Sequence, residues 1–225
     1  MSPIDKPRKR VGNPEQKQPK SSRKWIYISV VLIIVIVAVA AFILLQNMSF
    51  PSKNNSASTV NPIIVIDTTM GTIKVELYKD KMPITTANFL RLVNISFYNG
   101  LVFHRVIHDF VIQSGGFYPN GTQKTSPYGN IPFETSDVTH VDGAISMAST
   151  GARVGGAAQF FICVGAQPTL DGNYAAFGKV NDTASMDVVR AIAALDPSQT
   201  TTKYGNNQNW PVNDVIINSI TIENQ

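Results

Sequence analysis

Residues 98–116 read YNGLVFHRVIHDFVIQSGG, and this stretch says most about the fold and the function. Apolar residues dominate it and predict two β-strands, 101–107 and 110–114. One arginine, Arg105, lies inside the first of these strands. Burying a guanidinium costs free energy unless a carboxylate pairs with it or a ligand uses it. Arg105 is therefore either bonded to a carboxylate or to carbonyls of its own domain, or it is a functional residue.

The sequence on both sides predicts more strands than helices. Residues 63–67 and 72–78, separated by a short turn, are typical of a β-hairpin. Further strands are predicted at 143–148, 158–164, 175–180 and 212–222, and helices at 84–95 and 184–194. Many short strands, glycine-rich turns and two helices favour a mostly β domain, a closed barrel whose open ends the helices cover.

Charge is unevenly spread along the 225 residues. Residues 1–24 hold eight basic and two acidic side chains, which leaves 11 basic and 13 acidic side chains for the rest. The net charge of +4 thus belongs to a polar tail that we expect to be disordered. Because nucleic-acid binding depends on clustered positive charge, the folded part is not expected to bind nucleic acid.

A long apolar segment follows the tail. Residues 25–45 contain no charged side chain, and a helix of this length rises roughly 30 Å, enough to cross a bilayer core. We interpret it as a transmembrane signal-anchor rather than a buried core helix or a cleaved signal peptide, whose apolar core is shorter. The basic tail places the N-terminus in the cytoplasm. The linker 46–61 and the globular domain 62–225 are then extracytoplasmic.

Five motifs, in order, resemble the cyclophilin family of peptidyl-prolyl cis-trans isomerases. They are PITTANF at 83–89, FHRVI at 103–107 with QSGG at 113–116, ISMA at 145–148, QFFI at 159–162, and LDG at 170–172 followed by FGKV at 177–180. The resemblance covers residues 62–225 and is closest to compact prokaryotic-type members. It implies a closed eight-stranded antiparallel barrel capped by two helices, and catalysis of rotation about X-Pro bonds in proline-containing polypeptides.

The resemblance also assigns roles by position. Arg105, Phe110 and Gln113 would be catalytic, with Gln113 bonding a substrate carbonyl. The substrate-binding residues would be Val111, Met147, Ala148, Ser149, Gln159, Phe161, Leu170 and Tyr174. Phe110, Met147, Phe161 and Leu170 among them would line an apolar pocket for the proline ring. No cofactor or metal ion is implied, and we expect a monomer.

Arg105 suits the reaction that the resemblance implies. Resonance opposes rotation about an amide bond with a barrier of about 18–20 kcal/mol. In the twisted transition state this resonance is lost and the prolyl nitrogen gains a lone pair. A fixed cationic donor aimed at that nitrogen stabilises the twisted state more than either ground state, which is what catalysis requires.

Two positions depart from the family pattern. Thr169 stands where many eukaryotic members have a tryptophan, and Tyr174 stands where many have a histidine. The tryptophan matters more for cyclosporin than for isomerisation, so weak cyclosporin binding with retained activity is expected. Tyrosine keeps an aromatic ring and a hydrogen-bonding tip at its position.

Other functions have less support in the sequence. His104 and His108 have a spacing that invites a metal site, but no nearby carboxylate cluster completes one. The single cysteine, Cys163, has apolar neighbours that are typical of a buried, inert thiol. The main alternative is a chaperone or assembly module at the membrane that binds proline-containing segments without turnover. Arg105 favours the enzyme, because such a module has no clear need for it.

Overall fold

The structure, a computed structural model, describes residue 28 and residues 60–195 and 209–223. The chain divides into two compact units, Met1–Ala57 and Ser58–Gln225. In the first unit Ile28 alone is described, as an exposed helical residue. No helix within the described residues is both long and apolar enough to cross a membrane. The predicted tail 1–24, the rest of the predicted span 25–45 and the linker up to residue 59 lie outside the described residues.

The described part of the second unit contains eight β-strands and two α-helices, and each has a counterpart among the predicted elements. They are β1 (Ile63–Thr68), β2 (Gly71–Leu77), α1 (Pro83–Asn94), β3 (Arg105–Ile107), β4 (Val111–Ser114), β5 (Ala144–Met147), β6 (Phe160–Cys163), β7 (Ala175–Val180), α2 (Thr183–Ala193) and β8 (Ile217–Ile222). A short 3-10 helix, Pro168–Leu170, lies between β6 and β7. The prediction of a mostly β domain with two helices is confirmed.

The eight strands form one antiparallel sheet in the order β3-β4-β6-β5-β7-β2-β1-β8. Strands β3 and β8 are its two edges and do not pair with each other. The prediction of a closed barrel is therefore wrong, and the sheet is a half-barrel. The physical reason lies in β3, which has three residues and pairs along its length with β4 alone.

The sequence before β3 explains why the predicted strand 101–107 is shorter than expected. The backbone N–H of Val102 donates to the carbonyl of Phe117, and that of Phe103 donates to the carbonyl of Val215. An isolated bridge, Val102 to Ile216, joins this segment to the chain before β8, and Ile217 at the start of β8 exchanges backbone hydrogen bonds with residues 100–101. Because its backbone groups bond both to Phe117 and to residues 215–217, the segment is extended without forming a continuous ladder with one strand.

Alternation along the strands separates two apolar clusters. Ile112, Ile145 and Ile162 belong to the main core, which also holds the helix residues Phe89 and Val189. On the opposite face of the same three strands, a smaller cluster is formed by Val111, Ala144, Phe161 and Cys163. Because side chains of successive strand residues point to opposite faces, a strand buried on both faces reads as a continuous apolar run.

Each helix begins with a different solution for its unpaired N–H groups. Asp182 caps α2 locally, accepting a hydrogen bond from the backbone N–H of Ser185 at 2.7 Å. The N-cap residue of α1, Met82, offers no side-chain hydrogen bond. Instead Glu134 accepts from the N–H groups of Ile84 and Thr85 at 3.0 and 2.7 Å. A residue about 50 positions away thus caps α1.

Candidate active site

A cavity of about 230 Å³ opens over the smaller apolar cluster, and we call it the Arg105 cavity. Its lining residues are Arg105, Phe110, Val111, Gln113, Ala148, Ser149, Phe161, Leu170 and Tyr174. Nine of the eleven residues that the sequence nominated are thus brought together around one opening. A concave, largely preformed apolar cavity with a few polar groups on its wall is typical of a small-ligand or peptide site.

The strands β3 and β4 place the polar wall of the Arg105 cavity. Arg105 and Gln113 are paired residues on these strands, and Nη1 of Arg105 donates to Oε1 of Gln113 at 3.4 Å. The guanidinium carbon lies 5.6 Å from the centre of the Phe110 ring. Burial lowers the pKa of Arg105, but an arginine remains charged in proteins. In the described part of the chain no carboxylate forms an ion pair with Arg105.

Phe161 and its neighbours form the apolar floor. Phe161 is 5% exposed, and Val111 beside it on β4 is 1% exposed. The Tyr174 and Phe161 rings are nearly perpendicular, with centroids 5.9 Å apart and planes at 81°. Phe110 and Leu170 pack against the same cluster. Such a floor excludes water from whatever it holds, and electrostatic interactions across it gain strength.

Two predicted residues take other positions. Met147 is not among the lining residues and belongs to the main core, because it shares strand parity with Ile145 on β5. Its assignment to the apolar pocket is corrected accordingly. Gln159 lies beside the Arg105 cavity, where its Oε1 accepts a hydrogen bond from Nε2 of Gln113 at 2.9 Å. Gln159 therefore orients the Gln113 amide.

A second cavity of about 360 Å³, here named the side cavity, continues from the first. Gln113, Ala148 and Ser149 line both, so the two openings form one groove. The loop after β5 forms its far wall through Gly155 and Gly156. A Cβ at Gly155 would clash with the carbonyl of Ile131, so a glycine is needed for the loop to approach this closely. A groove made of two joined cavities is suited to an extended peptide.

The family model described as "Cyclophilin type peptidyl-prolyl cis-trans isomerase/CLD" matches residues 63–222. The chain belongs to the cyclophilin family. A peptidyl-prolyl cis-trans isomerase of Synechococcus elongatus is 43% identical over 57% of this chain and 86% of its own length. One of Acinetobacter baylyi is 38% identical over 72% of this chain and 86% of its own length.

Solved structures agree with this assignment. A crystal structure of a cyclophilin-type isomerase from Cryptosporidium parvum matches with a TM-score of 0.64 and 28% identity, covering 73% of this chain and 99% of that one. A structure of the parasite protein in the presence of the dipeptide Ala-Pro matches with a TM-score of 0.62. The cyclophilin domain described here is a peptidyl-prolyl cis-trans isomerase, and its substrates are proline-containing peptide segments.

Sequence reasoning missed a hydrogen-bonded pair behind the cyclophilin site. Nδ1 of His140 donates to Oδ1 of Asp171 at 2.8 Å, and the backbone N–H of His140 donates to the same oxygen at 2.7 Å. Burial lowers the pKa of His140, although Asp171 acts to raise it. Burial acts to raise the pKa of Asp171, but the two hydrogen bonds from His140 together lower it. A neutral imidazole thus donates to a charged carboxylate. The only sign of this pair in the sequence is the aspartate of the LDG motif, Asp171.

The structure also shows where the two histidines and the cysteine lie that the sequence offered as a metal site or a nucleophile. His104 is buried and its ring contacts the rings of Phe117 and Trp210, whereas the His108 side chain is 58% exposed. Within the described ranges no three His, Cys, Asp or Glu side chains are grouped so that they could hold a metal ion. The Cys163 thiol is buried, which raises its pKa to about 12 and disfavours the reactive thiolate.

Proposed function

We propose that Arg105 drives the isomerisation by donating a hydrogen bond to the prolyl nitrogen as the X-Pro amide twists. One observation carries the proposal: the half-buried Arg105 guanidinium lines a cavity and forms no ion pair with any carboxylate in the part of the chain that the structure describes. The interpretation that Arg105 is structural and bonds a carboxylate of its own domain therefore has no support in the described residues. A ligand is therefore the better partner for this charge.

The neighbouring residues would divide the remaining work. Phe110, Val111, Phe161 and Leu170 would hold the pyrrolidine ring, because together they supply an apolar surface of suitable size. Gln113 would bond a backbone carbonyl of the substrate, since Gln159 fixes its amide. Ala148, Ser149 and Tyr174 would flank the peptide. No nucleophile and no proton transfer are needed, because the reaction makes and breaks no covalent bond.

The test is the rate of cis-trans exchange in an X-Pro peptide, measured by exchange NMR with the purified chain and with Arg105→Ala. We expect the variant to remain folded and to lose on the order of 100-fold in kcat, as for removal of one preorganised donor from a transition state. A folded variant with the wild-type rate would refute the role of Arg105. A wild type that binds the peptide without accelerating exchange would identify a binding module instead.

We also propose that residues 25–45 anchor the cyclophilin domain outside the cytoplasm. The support is in the sequence: an uncharged apolar segment preceded by eight basic side chains. An uncatalysed X-Pro bond takes tens of seconds or more to isomerise, so a tethered isomerase would speed the folding of exported chains. Protease added to intact cells should then digest the domain. Digestion only after lysis would refute this topology.

Two smaller proposals concern partners. The domain would act as a monomer, because the residues of a single chain are sufficient to form the groove. It would bind cyclosporin weakly, because Thr169 offers little apolar surface at the position where many eukaryotic members have a tryptophan. Analytical ultracentrifugation and titration with cyclosporin test these two statements directly.

A further inference from the structure

The segment 167–174 forms one wall of the Arg105 cavity, to which it contributes Leu170 and Tyr174. The wall consists of the 3-10 helix Pro168–Leu170 and the turn that follows it, and the strand β7 begins only at Ala175. No ladder of strand hydrogen bonds therefore fixes the position of Leu170. Other contacts must hold this wall if the cavity is to keep its shape.

His140 supplies three of these contacts, all of them hydrogen bonds. Its carbonyl accepts from the backbone N–H of Gln167 at 2.7 Å, at the start of the wall. Its own backbone N–H and its Nδ1–H both donate to Oδ1 of Asp171, at 2.7 and 2.8 Å. Because Asp171 directly follows Leu170, the wall is held on both sides of Leu170.

His140 is itself fixed to the floor of the cavity. Its side chain is fully buried, and Nε2 accepts a hydrogen bond from the Ser146 hydroxyl on β5 at 3.0 Å. Its ring stacks on the ring of Phe161, with centroids 5.9 Å apart and planes at 16°. The His140 side chain thus contacts both the wall, through its hydrogen bond to Asp171, and the floor, through its stacking on Phe161.

The far end of the wall is joined to Leu170 by backbone hydrogen bonds, and the N–H of Arg153 also donates to the carbonyl of Asn173 at 2.8 Å. The backbone N–H groups of Asn173 and Tyr174 both donate to the carbonyl of Leu170, at 3.0 and 3.1 Å. The Tyr174 and Phe161 rings are then in perpendicular contact. A shift of Leu170 would therefore be transmitted to Tyr174, and two of the residues that line the cavity would move together.

We propose that His140 and Asp171 are positioning residues for the isomerisation: their hydrogen-bonded pair holds the wall 167–174 against Phe161, so that Leu170 and Tyr174 confine the proline ring within the cavity that Arg105 lines. This inference rests on the proposed function of the Arg105 cavity. Neither residue lines the cavity, so both would act through Leu170, Tyr174 and Phe161.

The test separates KM from kcat. In the full chain, Asp171→Ala removes the acceptor and frees the wall, while Arg105 and Gln113 are untouched. A looser wall weakens the binding of ground state and transition state alike, so we expect KM for an X-Pro peptide to rise about tenfold with kcat changed less than about threefold. Asp171→Asn keeps an oxygen that can accept both hydrogen bonds, and it should restore KM to within about twofold of wild type.

Asp142 provides a matched control. Its carboxylate also fixes a loop, accepting from the N–H of Gly165 at 2.8 Å and from Arg190 at 2.6 Å, but it does not line the cavity. Asp142→Ala should lower the melting temperature and leave KM unchanged. If Asp171→Ala behaves in the same way, Asp171 is merely structural and the inference is overturned.

A second variant keeps the inference testable if Asp171→Ala does not fold. His140→Phe preserves a buried ring on Phe161 and removes the ring hydrogen bond to Asp171, and we expect it to raise KM about fivefold. An unchanged KM would overturn the inference. Wild type and Arg105→Ala are measured in the same assay. A wild type without activity refutes the proposed function. An active wild type together with an unchanged KM in His140→Phe refutes only the positioning role.

Discussion

Arg105 and Gln113 are paired across β3 and β4, and Gln113 presents Oε1 to the guanidinium while its Nε2 donates to Gln159. The side chains of Arg105, Gln113 and Gln159 are thus linked by two consecutive hydrogen bonds. An amide can take either orientation, but Arg105 has only donors, so Gln113 must present Oε1 to it and Nε2 to Gln159. The guanidinium is thus directed by a neutral acceptor, which leaves its charge available to a ligand.

Replacing that neutral acceptor by a carboxylate should inactivate the enzyme more than removing it. In Gln113→Glu, the new charge would lie at the position now 3.4 Å from Nη1 of Arg105 and would form an ion pair with it. Because the paired guanidinium would have to leave its carboxylate to reach the prolyl nitrogen, we expect a kcat roughly tenfold below that of Gln113→Ala. Exchange NMR with an X-Pro peptide gives both constants. Equal values of kcat for the two variants would contradict the idea that Arg105 must remain unpaired.

The sequence predicted the elements of the fold well because their signals are local. The alternation along 72–78, the proline at the start of α1 and the apolar runs of β4, β5 and β6 each depend on neighbours within a few residues. The closed barrel was wrong because closure depends on whether two edges pair. The strands β3 and β8 are more than 100 residues apart, and the segment 100–103 before β3, rather than β3 itself, bonds to the start of β8.

The sequence nominated residues that line the cavity, but it did not indicate the hydrogen-bonded pair behind them. Nine nominated residues line the Arg105 cavity, since motif order fixes their positions. Met147 was misassigned, although its parity with Ile145 already placed it on the core side of β5. The pair of His140 and Asp171 is separated by 31 residues, and no periodicity joins them. The same holds for Glu134 and the start of α1.

Position 169 should control the affinity for cyclosporin independently of catalysis. The Thr169 side chain is exposed beside Leu170, and its backbone carbonyl accepts a hydrogen bond from Asn173 at 3.2 Å, so the side chain can be replaced without moving the wall. Thr169→Trp would add about 100 Å² of apolar surface to the rim, worth about 2.5 kcal/mol if a ligand buries it. We expect cyclosporin to bind at least tenfold more tightly and kcat/KM to change less than twofold. Thr169→Ala serves as the control, and a titration in which all three chains bind equally would contradict the prediction.

Glu134 should stabilise the domain through the start of α1. Its two carboxylate oxygens accept from the N–H groups of Ile84 and Thr85, where the helix dipole also favours a negative charge. Glu134→Ala leaves these donors without the carboxylate, so we expect the free energy of unfolding to fall by about 1–2 kcal/mol. Urea unfolding at neutral pH measures it. Glu223→Ala, which removes an exposed ion pair with Lys74, should have a far smaller effect; equal losses would show that Glu134 does not cap the helix.

His104 makes the stability of the domain depend on pH. Its ring lies 4.8 Å from the Phe117 ring and 6.0 Å from the Trp210 ring, measured between centroids. Burial in these surroundings lowers the pKa of His104 from 6.5 to about 4. Between these two values the unfolded chain binds a proton that the folded chain does not. The free energy of unfolding therefore has its full value above pH 6.5 and decreases as the pH falls toward 4.

The unfolding free energy of the wild type should thus decrease by up to about 3 kcal/mol between pH 7 and pH 4, and most of this decrease should disappear in His104→Gln. The unfolding free energy at pH 7 is compared with that at pH 4 within each chain, because the variant loses packing at every pH. Only the difference between the two pH values measures the effect of protonating the histidine. Burial also lowers the pKa of His140, so a smaller decrease of the same sign remains. Urea unfolding followed by the fluorescence of the buried Trp210 measures both chains. His108→Gln, at an exposed histidine, should keep the wild-type decrease; if His104→Gln keeps it as well, protonation of His104 does not limit the stability of the fold.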